Sequence, residues 1–570
     1  MVDQPDVTVR PVPHEVADRL ASHGLHPLIA RLMAARGVSD PAELSADWKS
    51  LITPNQLSHI DEAALALAQA IEAGKRLLIV ADYDCDGATA CAVGLRGLRA
   101  MGACVDYLVP NRFETGYGLS PEVVELATDH RGGKPDLIVT VDNGIASVDG
   151  VQAAKDHGID VIVTDHHLPG DRLPDALAIV NPNQPDCGFP SKNLAGVGVM
   201  FYVLMALRAT LRERGYFSDK PEPRLDHLVD LVALGTIADV VKLDANNRLL
   251  VTRGLTRIRQ GQMQPGLRAL FAVCGRDPAQ ASAFDFGFTI GPRINAAGRL
   301  TDMSLGIECL STDDHEQALN MARELDRINQ ERRQIEVTMR EQAMAALSDV
   351  QADAAQAAIC VYQPDWHQGV VGLVASRLKE KFWRPVVALA PAGDGTWRGS
   401  GRSIPDVHLR DVFDLISKRH PGLILKFGGH AMAAGLSLPE SGLPLFAQGF
   451  ADAVVEMTGK HQFTASIETD GSLETGWANV QTATLLQQHV WGAGFPAPLF
   501  VDDFSVQNQR LVGGKHMKLS LMRERQRFDA IWFNREDPLP DHIRAVYRPT
   551  PNVWQSNISL QLIIESARPA

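Results

Sequence analysis

No two of the seven cysteines in this 570-residue chain form a C-x-x-C pair, and their number is odd. That excludes a disulfide framework or zinc cluster and predicts reduced, mostly buried thiols of a cytoplasmic protein. No apolar run reaches the roughly 20 residues needed to span a bilayer. The first residues, Met1 to Pro13, lack the charged-then-apolar pattern of a signal peptide, so a soluble protein with no membrane partner is expected. A basic surplus is missing as well. The formal net charge of −13 excludes coating of a duplex by bulk charge and leaves room only for a local basic groove. There is no internal repeat and no low-complexity tract. The chain is too long for one core, which makes three or four domains the expectation.

What the chain does have is an α/β rhythm beginning at Arg76. Leu77–Ala81, Val105–Val109, Leu137–Val141, Val161–Thr164 and Ala178–Val180 read as short, predominantly apolar strands. Between the first two, Gly87–Met101 has helical spacing. Continuous apolar runs alternating with helices indicate a parallel sheet covered on both faces. A long helix is expected from Asp313 to Val350, with Ala318, Met321, Leu325, Ile328, Ile335, Met339, Ala343 and Ala346 on one face, Thr312-Asp313-Asp314 as its cap and Arg332-Arg333 facing elsewhere. From Ala357–Tyr362 a second α/β domain starts and reaches Met457. The last hundred residues alternate in short runs (Phe500–Val506, Met517–Leu521, Phe528–Phe533) and read as an all-β module, dense in Arg510, Lys515, Lys518, Arg523, Arg525 and Arg527.

Four acidic or histidine clusters stand at the ends of these apolar runs: Asp82-Tyr83-Asp84-Cys85-Asp86-Gly87, Asp142-Asn143-Gly144, Asp165-His166-His167, and Asp239 closing the helical stretch Leu228–Ala238. In an open parallel sheet, ligands bind outside the carboxyl ends of the strands. Three strands and a helix therefore deliver carboxylates and imidazoles to one edge, a collection that is hard to hold together without cations. Any one Asp there is as well explained by a helix cap; the four together read as a two-metal hydrolytic centre. Two hard cations about 3.5–4 Å apart need a shared carboxylate and several terminal ligands. Asp142 is expected to bridge, with Asp84, Asp86, His166 and Asp239 as terminal ligands, and Asp82 binding through water or from behind. Carboxylates with one imidazole suit Mn2+, with Mg2+ also acceptable. His167 would orient or protonate a phosphate oxygen.

Further on, Gly399-Ser400-Gly401-Arg402-Ser403 reads as a glycine-rich turn able to cradle a phosphate. Gly428-Gly429-His430 would set His430 beside the scissile phosphate, and Arg112, Arg293 and Arg299 are candidate phosphate clamps. Bland alternatives stand beside each: a plain turn, a structural histidine, a surface ion pair.

The DYDCDG, VDNG, DHH and ALGTIAD series (residues 82–87, 141–144, 165–167 and 233–239) resembles the DHH phosphoesterases. The resemblance narrows to the RecJ exonucleases on five more segments: Arg112–Leu119, Gly291–Arg299, Trp366–Gly372, Gly399–Ser403 and Phe427–His430. It covers roughly residues 50–560, with no metal ligand missing. It implies an N-terminal helical extension (1–60), a DHH catalytic domain (61–312), a connecting helix (313–350), a DHH-associated α/β domain (351–460) and an OB-like barrel (465–570) whose basic strands follow DNA while aromatics stack on bases. The implied activity is 5′→3′ hydrolysis of single-stranded DNA to 5′-mononucleotides in recombination, repair and mismatch repair. Ser400 and Arg402 would recognise the 5′-phosphate, and Tyr117 would lie on the nucleic-acid path. Implied partners are single-stranded DNA, a single-strand-binding protein and a helicase, with the chain acting as a monomer. The competing readings are a DHH enzyme for short oligonucleotides or cyclic dinucleotides, a pyrophosphatase, and a non-catalytic replication scaffold. Deleting residues 465–570 is expected to weaken binding of long strands more than the chemistry.

Overall fold

A computed structural model describes residues 5–111, 117–349, 356–393, 395–554 and 557–570. The chain divides into two compact units, one of Arg10–Asn329 with Asp470–Ala570 and the other of Met1–Val9 with Gln330–Thr469.

At the centre of the larger unit is an all-parallel, five-stranded sheet. Its order is Cys104–Leu108, Arg76–Ala81, Leu137–Val141, Asp160–Thr164 and Ala178–Val180. All five expected strands are present to within a residue at either end. Because side chains alternate across a strand, each apolar run divides between two cores. Leu77, Ile79, Ala81, Val139, Val141 and Ile162 pack under helices Cys85–Ala100 and Gly196–Glu213. Leu78, Val80, Ile138, Val161 and Val163 pack under helices Pro121–Thr128 and Val148–Asp156. With both faces covered, polar side chains emerge at the strand ends.

The C-terminal part of this unit is a closed barrel in the order Phe500–Val512, His516–Arg523, Gln526–Trp532, Asn557–Pro569, His542–Trp554. Its Gln526–Trp532 and Asn557–Pro569 strands run parallel while the other pairs are antiparallel. The stretch is not all-β, because helix Val480–Gln488 precedes the barrel. Nor is the barrel an appendage. Phe500, Phe504, Leu521 and Tyr547 belong to the same apolar core as the helices of the sheet. Arg36 grips Asp470 at 2.8 Å with both nitrogens of its fork and donates to the Pro496 carbonyl at 2.7 Å. Removal of residues 465–570 would therefore open this core rather than detach a module. Arg523 also departs from expectation: it is buried, with its guanidinium on Asp502 and the Leu473 carbonyl. Arg510, Lys515, Arg525 and Arg527 are exposed.

The smaller unit holds a mixed sheet in the order Lys426–Gly429, Ala433–Pro439, Thr396–Arg402, Val386–Gly393, Ile359–Tyr362, with the last pair parallel. Helices Leu409–Arg419 and Leu443–Thr458 supply Phe413, Phe446 and Phe450 to its core. The N-terminal segment is not purely helical: Asp6–Val9 is a strand paired in parallel with Ser466–Thr469. The long helix runs from His315 to Asp349, and the division between units falls within it, after Asn329. Asp314 caps it through the amides of Glu316 and Gln317. Ala318, Leu325, Ile328, Met339 and Ala343 are buried as the spacing predicts. Arg332, expected on the outer face, is instead buried on Glu336. The side chain of Ala346, and Val350, lie outside the described residues.

Candidate metal centre

The carboxyl edge of the parallel sheet gathers the four clusters. Asp82 follows the first strand, and Asp84 caps the helix after it, its Oδ1 accepting from the amides of Asp86 and Gly87 at 2.9 and 3.0 Å. Gly87 is required here, since a Cβ would lie 2.4 Å from the Asp82 carbonyl oxygen. Asp86 is fully buried in the first turn. Its two oxygens accept from the amides of Gly196 and Val197, at 2.5 and 2.9 Å, at the start of helix Gly196–Glu213. Free amides and the positive end of a helix favour a carboxylate there. Asp142 sits at φ 62°, a conformation Asp tolerates better than most residues, and Gly196 lets the helix close on its carboxyl group.

His166 Nε2 lies 3.1 Å from Asp142 Oδ1, 3.5 Å from Asp239 Oδ2 and 4.0 Å from Asp86 Oδ2. Three sets of ligand atoms each fall within 4.8 Å of one another: Asp142, His166 and His167; Asp86, His166 and Asp239; and Asp82, Asp84 and Asp142. Asp142 is common to two of the sets, so one carboxylate adjoins two overlapping positions. Asp82, expected at most behind a water, stands in a set of its own with Asp84 and Asp142.

Electrostatics sharpen the picture. Burial, then the neighbouring charge of Asp84, lifts the Asp86 carboxyl to about 7. Burial and the charge of Asp86 hold Asp142 and Asp239 well above the usual carboxylate range. Burial and the charge of His167 pull His166 down to about 4, so it is a neutral imidazole with a lone pair to give. Asp142 Oδ1, His166 Nε2 and Asp239 Oδ2 are buried with no hydrogen-bond partner. Buried polar atoms without partners are expensive, and a divalent cation among them would satisfy all three and cancel the repulsion. The residues fit Mn2+ or Mg2+.

His167 has a different setting. Its Nδ1 is 2.8 Å from Asp165 Oδ1 and 3.2 Å from the Tyr117 hydroxyl, which also donates to the Asp142 carbonyl at 3.2 Å. Burial opposes a charge on His167, but the hydrogen bond to Asp165 and the charges of Asp165, Asp82 and Asp84 raise it to about 9. In the metal-free fold these neighbours therefore favour the protonated ring.

A supporting layer escaped the sequence reading. Asp165 accepts from the amides of Ile145, His166 and His167, while Asn181 and Asn183 donate to the His167 and His166 carbonyls. The signal was Asn181-Pro182-Asn183 directly after a strand run. Helix Gly291–Leu300 holds the first acidic loop: Asn295 Oδ1 accepts from the Cys85 amide at 2.8 Å, and a Cβ on Gly298 would lie 2.0 Å from the Tyr83 carbonyl oxygen. Arg293, expected as a phosphate clamp, is buried with its guanidinium on Asp326 at 2.9 Å and on the Thr289 carbonyl at 2.6 Å. It is an internal ion pair. Arg299 is half-buried in the last turn of that helix. Arg112 lies outside the described residues.

The smaller unit brings together Ser400, Arg402 and Gly372. Arg402 Nη1 donates to Ser400 Oγ at 2.9 Å and to the Gly401 carbonyl at 2.8 Å. A Cβ on Gly372 would meet both side chains. Gly399–Arg402, expected as a turn, lies within strand Thr396–Arg402. Its glycines serve packing: a Cβ on Gly399 would meet Leu389 and Leu436, and one on Gly401 would meet Leu409 and Phe413. His430 is exposed at the tip of the neighbouring hairpin, its amide donating to the Ala433 carbonyl at 2.8 Å after Gly429 at φ 131°.

This combination of a parallel-sheet acidic centre, a second α/β unit and a five-stranded barrel defines a DHH-type phosphoesterase with an added nucleic-acid-binding fold. Residues 76–236 match the DHH family N-terminal domain, 354–456 the DHHA1 domain and 469–566 the RecJ OB domain. The single-stranded-DNA-specific exonuclease RecJ of Escherichia coli is 48% identical over 97% of this chain and 98% of its own length. That of Thermus thermophilus is 34% identical over 89% of this chain and 70% of its own. The crystal structure of T. thermophilus RecJ in complex with Mn2+ superposes with a TM-score of 0.82 at 30% identity, covering this whole chain and 80% of that one; the Mg2+ complex gives 0.77 at 28%. The chain belongs to the RecJ family of single-stranded-DNA-specific exonucleases.

Proposed function

We propose that this protein is a metal-dependent exonuclease that degrades single-stranded DNA from a 5′-phosphorylated end, releasing 5′-mononucleotides during recombination and repair. The observation that carries the reading is the buried set of partnerless ligand atoms on Asp142, His166 and Asp239, within a family of single-strand-specific exonucleases. Asp142 would be shared between two ions, Mn2+ or Mg2+, with Asp84, Asp86, His166 and Asp239 as the remaining ligands and Asp82 close enough to join them. When bound, such ions supply Lewis-acid chemistry and a nucleophilic water at neutral pH.

The chain's own side chains do the rest. Asp165 favours the protonated form of His167, whose imidazolium would offer a proton to a phosphate oxygen; the Tyr117 hydroxyl lies 3.2 Å from the same ring nitrogen. Ser400 and Arg402 present a hydroxyl and a guanidinium already oriented on each other, a donor pair suited to a terminal phosphate. His430 is exposed on the adjacent hairpin to add a further donor. The exposed Arg510, Lys515, Arg525 and Arg527 of the barrel neutralise the strand's phosphates, which makes affinity fall with salt.

Among the described residues no helix is long and apolar enough to cross a membrane; a DNA substrate supports a cytoplasmic location, and the chain is proposed to act there as a monomer. A single-strand-binding protein and a helicase are the partners that would prepare its substrate. One assay tests the whole reading: 5′-labelled single strand, duplex, short RNA, cyclic dinucleotide and pyrophosphate are each offered with Mn2+. Consumption of the single strand alone, with mononucleotide products, is expected. Preferential hydrolysis of the cyclic dinucleotide or pyrophosphate would replace it with one of the smaller-substrate activities.

A further inference from the structure

Two large aromatic side chains of the larger unit lie open to solvent with no role in the site so far. Phe284 is 48% and Phe288 68% exposed, and their rings stack on each other with centroids 4.8 Å apart and planes 25° from parallel. Phe286 between them is fully buried. They stand on an unusual piece of backbone. Ser282 and Asp285 form a reciprocal cap, a π-helical turn spans Phe286–Ile290, and helix Gly291–Leu300 follows without a break. π-Turns are rare and concentrate at functional sites.

This turn packs on the last residues before Asp239. A Cβ on Gly287 would lie 3.5 Å from Ile237, and one on Gly291 3.3 Å from Ala238. Immediately after Asp239 comes Val240, 70% exposed and held at φ 63°, which is strained for a β-branched residue. The turn that carries the exposed aromatic pair thus packs against the residues leading into Asp239, and the helix that continues from it anchors the first acidic loop through Asn295. Arg276 flanks the pair, with its Nε 3.5 Å from Asp285 and its side chain half exposed.

We propose that Phe288, backed by Phe284, is a stacking platform for a nucleobase of the single-stranded substrate, fixing the strand as it passes the metal centre. This rests on the reading above that the substrate is single-stranded DNA. Two rings already stacked offer one further π-face, which any base can extend, and base–aromatic stacking is sequence-tolerant, as an exonuclease that degrades strands of any sequence requires. Arg276 stands beside the stack for the adjoining phosphate. A protein partner fits less well: three exposed side chains cannot supply the roughly 1,200–2,000 Å² of a stable interface. The turn that carries the pair is also the one packed against the residues leading into Asp239.

The test uses the full-length protein. A 5′-phosphorylated strand carrying 2-aminopurine at successive positions is bound in EDTA, so that stacking is read without hydrolysis. Fluorescence should be quenched most at one position; Phe288→Ala should remove that quenching and Phe288→Trp should restore it. With Mn2+, Phe288→Ala should raise KM for the normal strand about tenfold, the size of one lost base stack. A strand abasic at that position should raise KM for the wild type but not for Phe288→Ala. Quenching unchanged by Phe288→Ala, or equal loss on normal and abasic strands, overturns the platform; the latter would mark the patch as a protein-docking site or a structural one. If the wild type quenches 2-aminopurine but consumes no strand, the platform stands and the proposed activity falls.

Discussion

The parallel sheet of the larger unit and the mixed sheet of the smaller one both bring polar side chains to functional positions, but they treat those side chains in opposite ways. At the edge of the parallel sheet, buried Asp86 and Asp142 and half-buried Asp239 lie together, each raised in pKa by burial and by neighbouring carboxylate charge, with partnerless atoms left over on Asp142 and Asp239. In the mixed sheet, Ser400 and Arg402 satisfy each other and the Gly401 carbonyl. The first arrangement is incomplete by itself and asks for cations. The second is complete by itself and can accept a ligand without needing one. Loss of a group should therefore be felt mainly in chemistry and metal binding at the first site, and mainly in substrate affinity at the second.

The largest effect should come from Asp142, whose carboxyl group belongs to two of the three ligand sets. Asp142→Ala should lower single-strand hydrolysis on the order of 10³-fold or more, as loss of the chief charge-organising group does. Binding of the strand in gel-shift assays should persist. Activity within tenfold of wild type would remove the shared-carboxylate role.

A glycine pair tests how rigidly the acidic loop must be held. A Cβ at Gly298 would collide with the Tyr83 carbonyl oxygen at 2.0 Å, whereas one at Gly428, near His430, meets nothing within 4 Å. Gly298→Ala should push helix Gly291–Leu300 off the loop and weaken Mn2+ binding roughly 10- to 100-fold, as displacement of a ligand's support does, with a lower Tm. Gly428→Ala should leave Mn2+ affinity and Tm close to wild type. Calorimetric titration of Mn2+ checks both, and equal behaviour of the two variants would break the contrast.

This contrast also marks what the sequence made legible. Asp84, Asp86, Asp142, His166 and Asp239 could be read because strand ends of a parallel sheet converge, so that spacing alone predicted which residues meet. The strands themselves were legible as short, largely apolar runs between helical stretches, the pattern of a doubly covered sheet. Arg293 misled because an arginine in a glycine-rich segment looks the same in sequence whether it faces a phosphate or Asp326. Gly399–Ser403 misled because glycines that make room for Leu389, Leu436 and Phe413 resemble glycines that make a turn. The support from Asp165, Asn181, Asn183 and Asn295 was hidden because it acts through backbone amides and carbonyls, whose partners no residue pattern names. Likewise, the fusion of the barrel with the helical core depends on Arg36 and Asp470, which are 434 positions apart.

At the self-satisfied site the expected effect is smaller. Arg402→Lys keeps the charge but loses the planar fork that meets Ser400 and a phosphate together. Affinity for a 5′-phosphorylated strand should fall roughly tenfold, and the preference for 5′-phosphate over 5′-hydroxyl ends should shrink with it. Tm should stay near wild type. If Arg402→Lys weakened both kinds of end equally, Arg402 would be a general strand contact rather than the terminal-phosphate donor.

The smallest effect is one of pH, and it separates the two sites without mutation. Asp86 is lifted from 3.8 in the unfolded chain to about 7 in the fold, and Asp142 and Asp239 are raised in the same direction. A group whose folded pKa is raised contributes stability that is fully present below its unfolded value and disappears as pH rises through the folded value. The metal-free protein should thus lose stability progressively from about pH 4 through about pH 7, and further as Asp142 and Asp239 are forced to ionise. Bound Mn2+ compensates that charge, and at pH 6 it must first displace protons. The Tm gain on adding saturating Mn2+ should accordingly be larger at pH 8 than at pH 6, by a few degrees in a domain-sized core. Sulfate, a dianion that does not titrate in this window, should show no comparable trend when offered to the Ser400–Arg402 site, because neither side chain titrates within it either. An Mn2+ gain independent of pH would mean that the carboxylates are already relieved of their repulsion in the metal-free fold, and the contrast between an incomplete and a complete site would have to be redrawn.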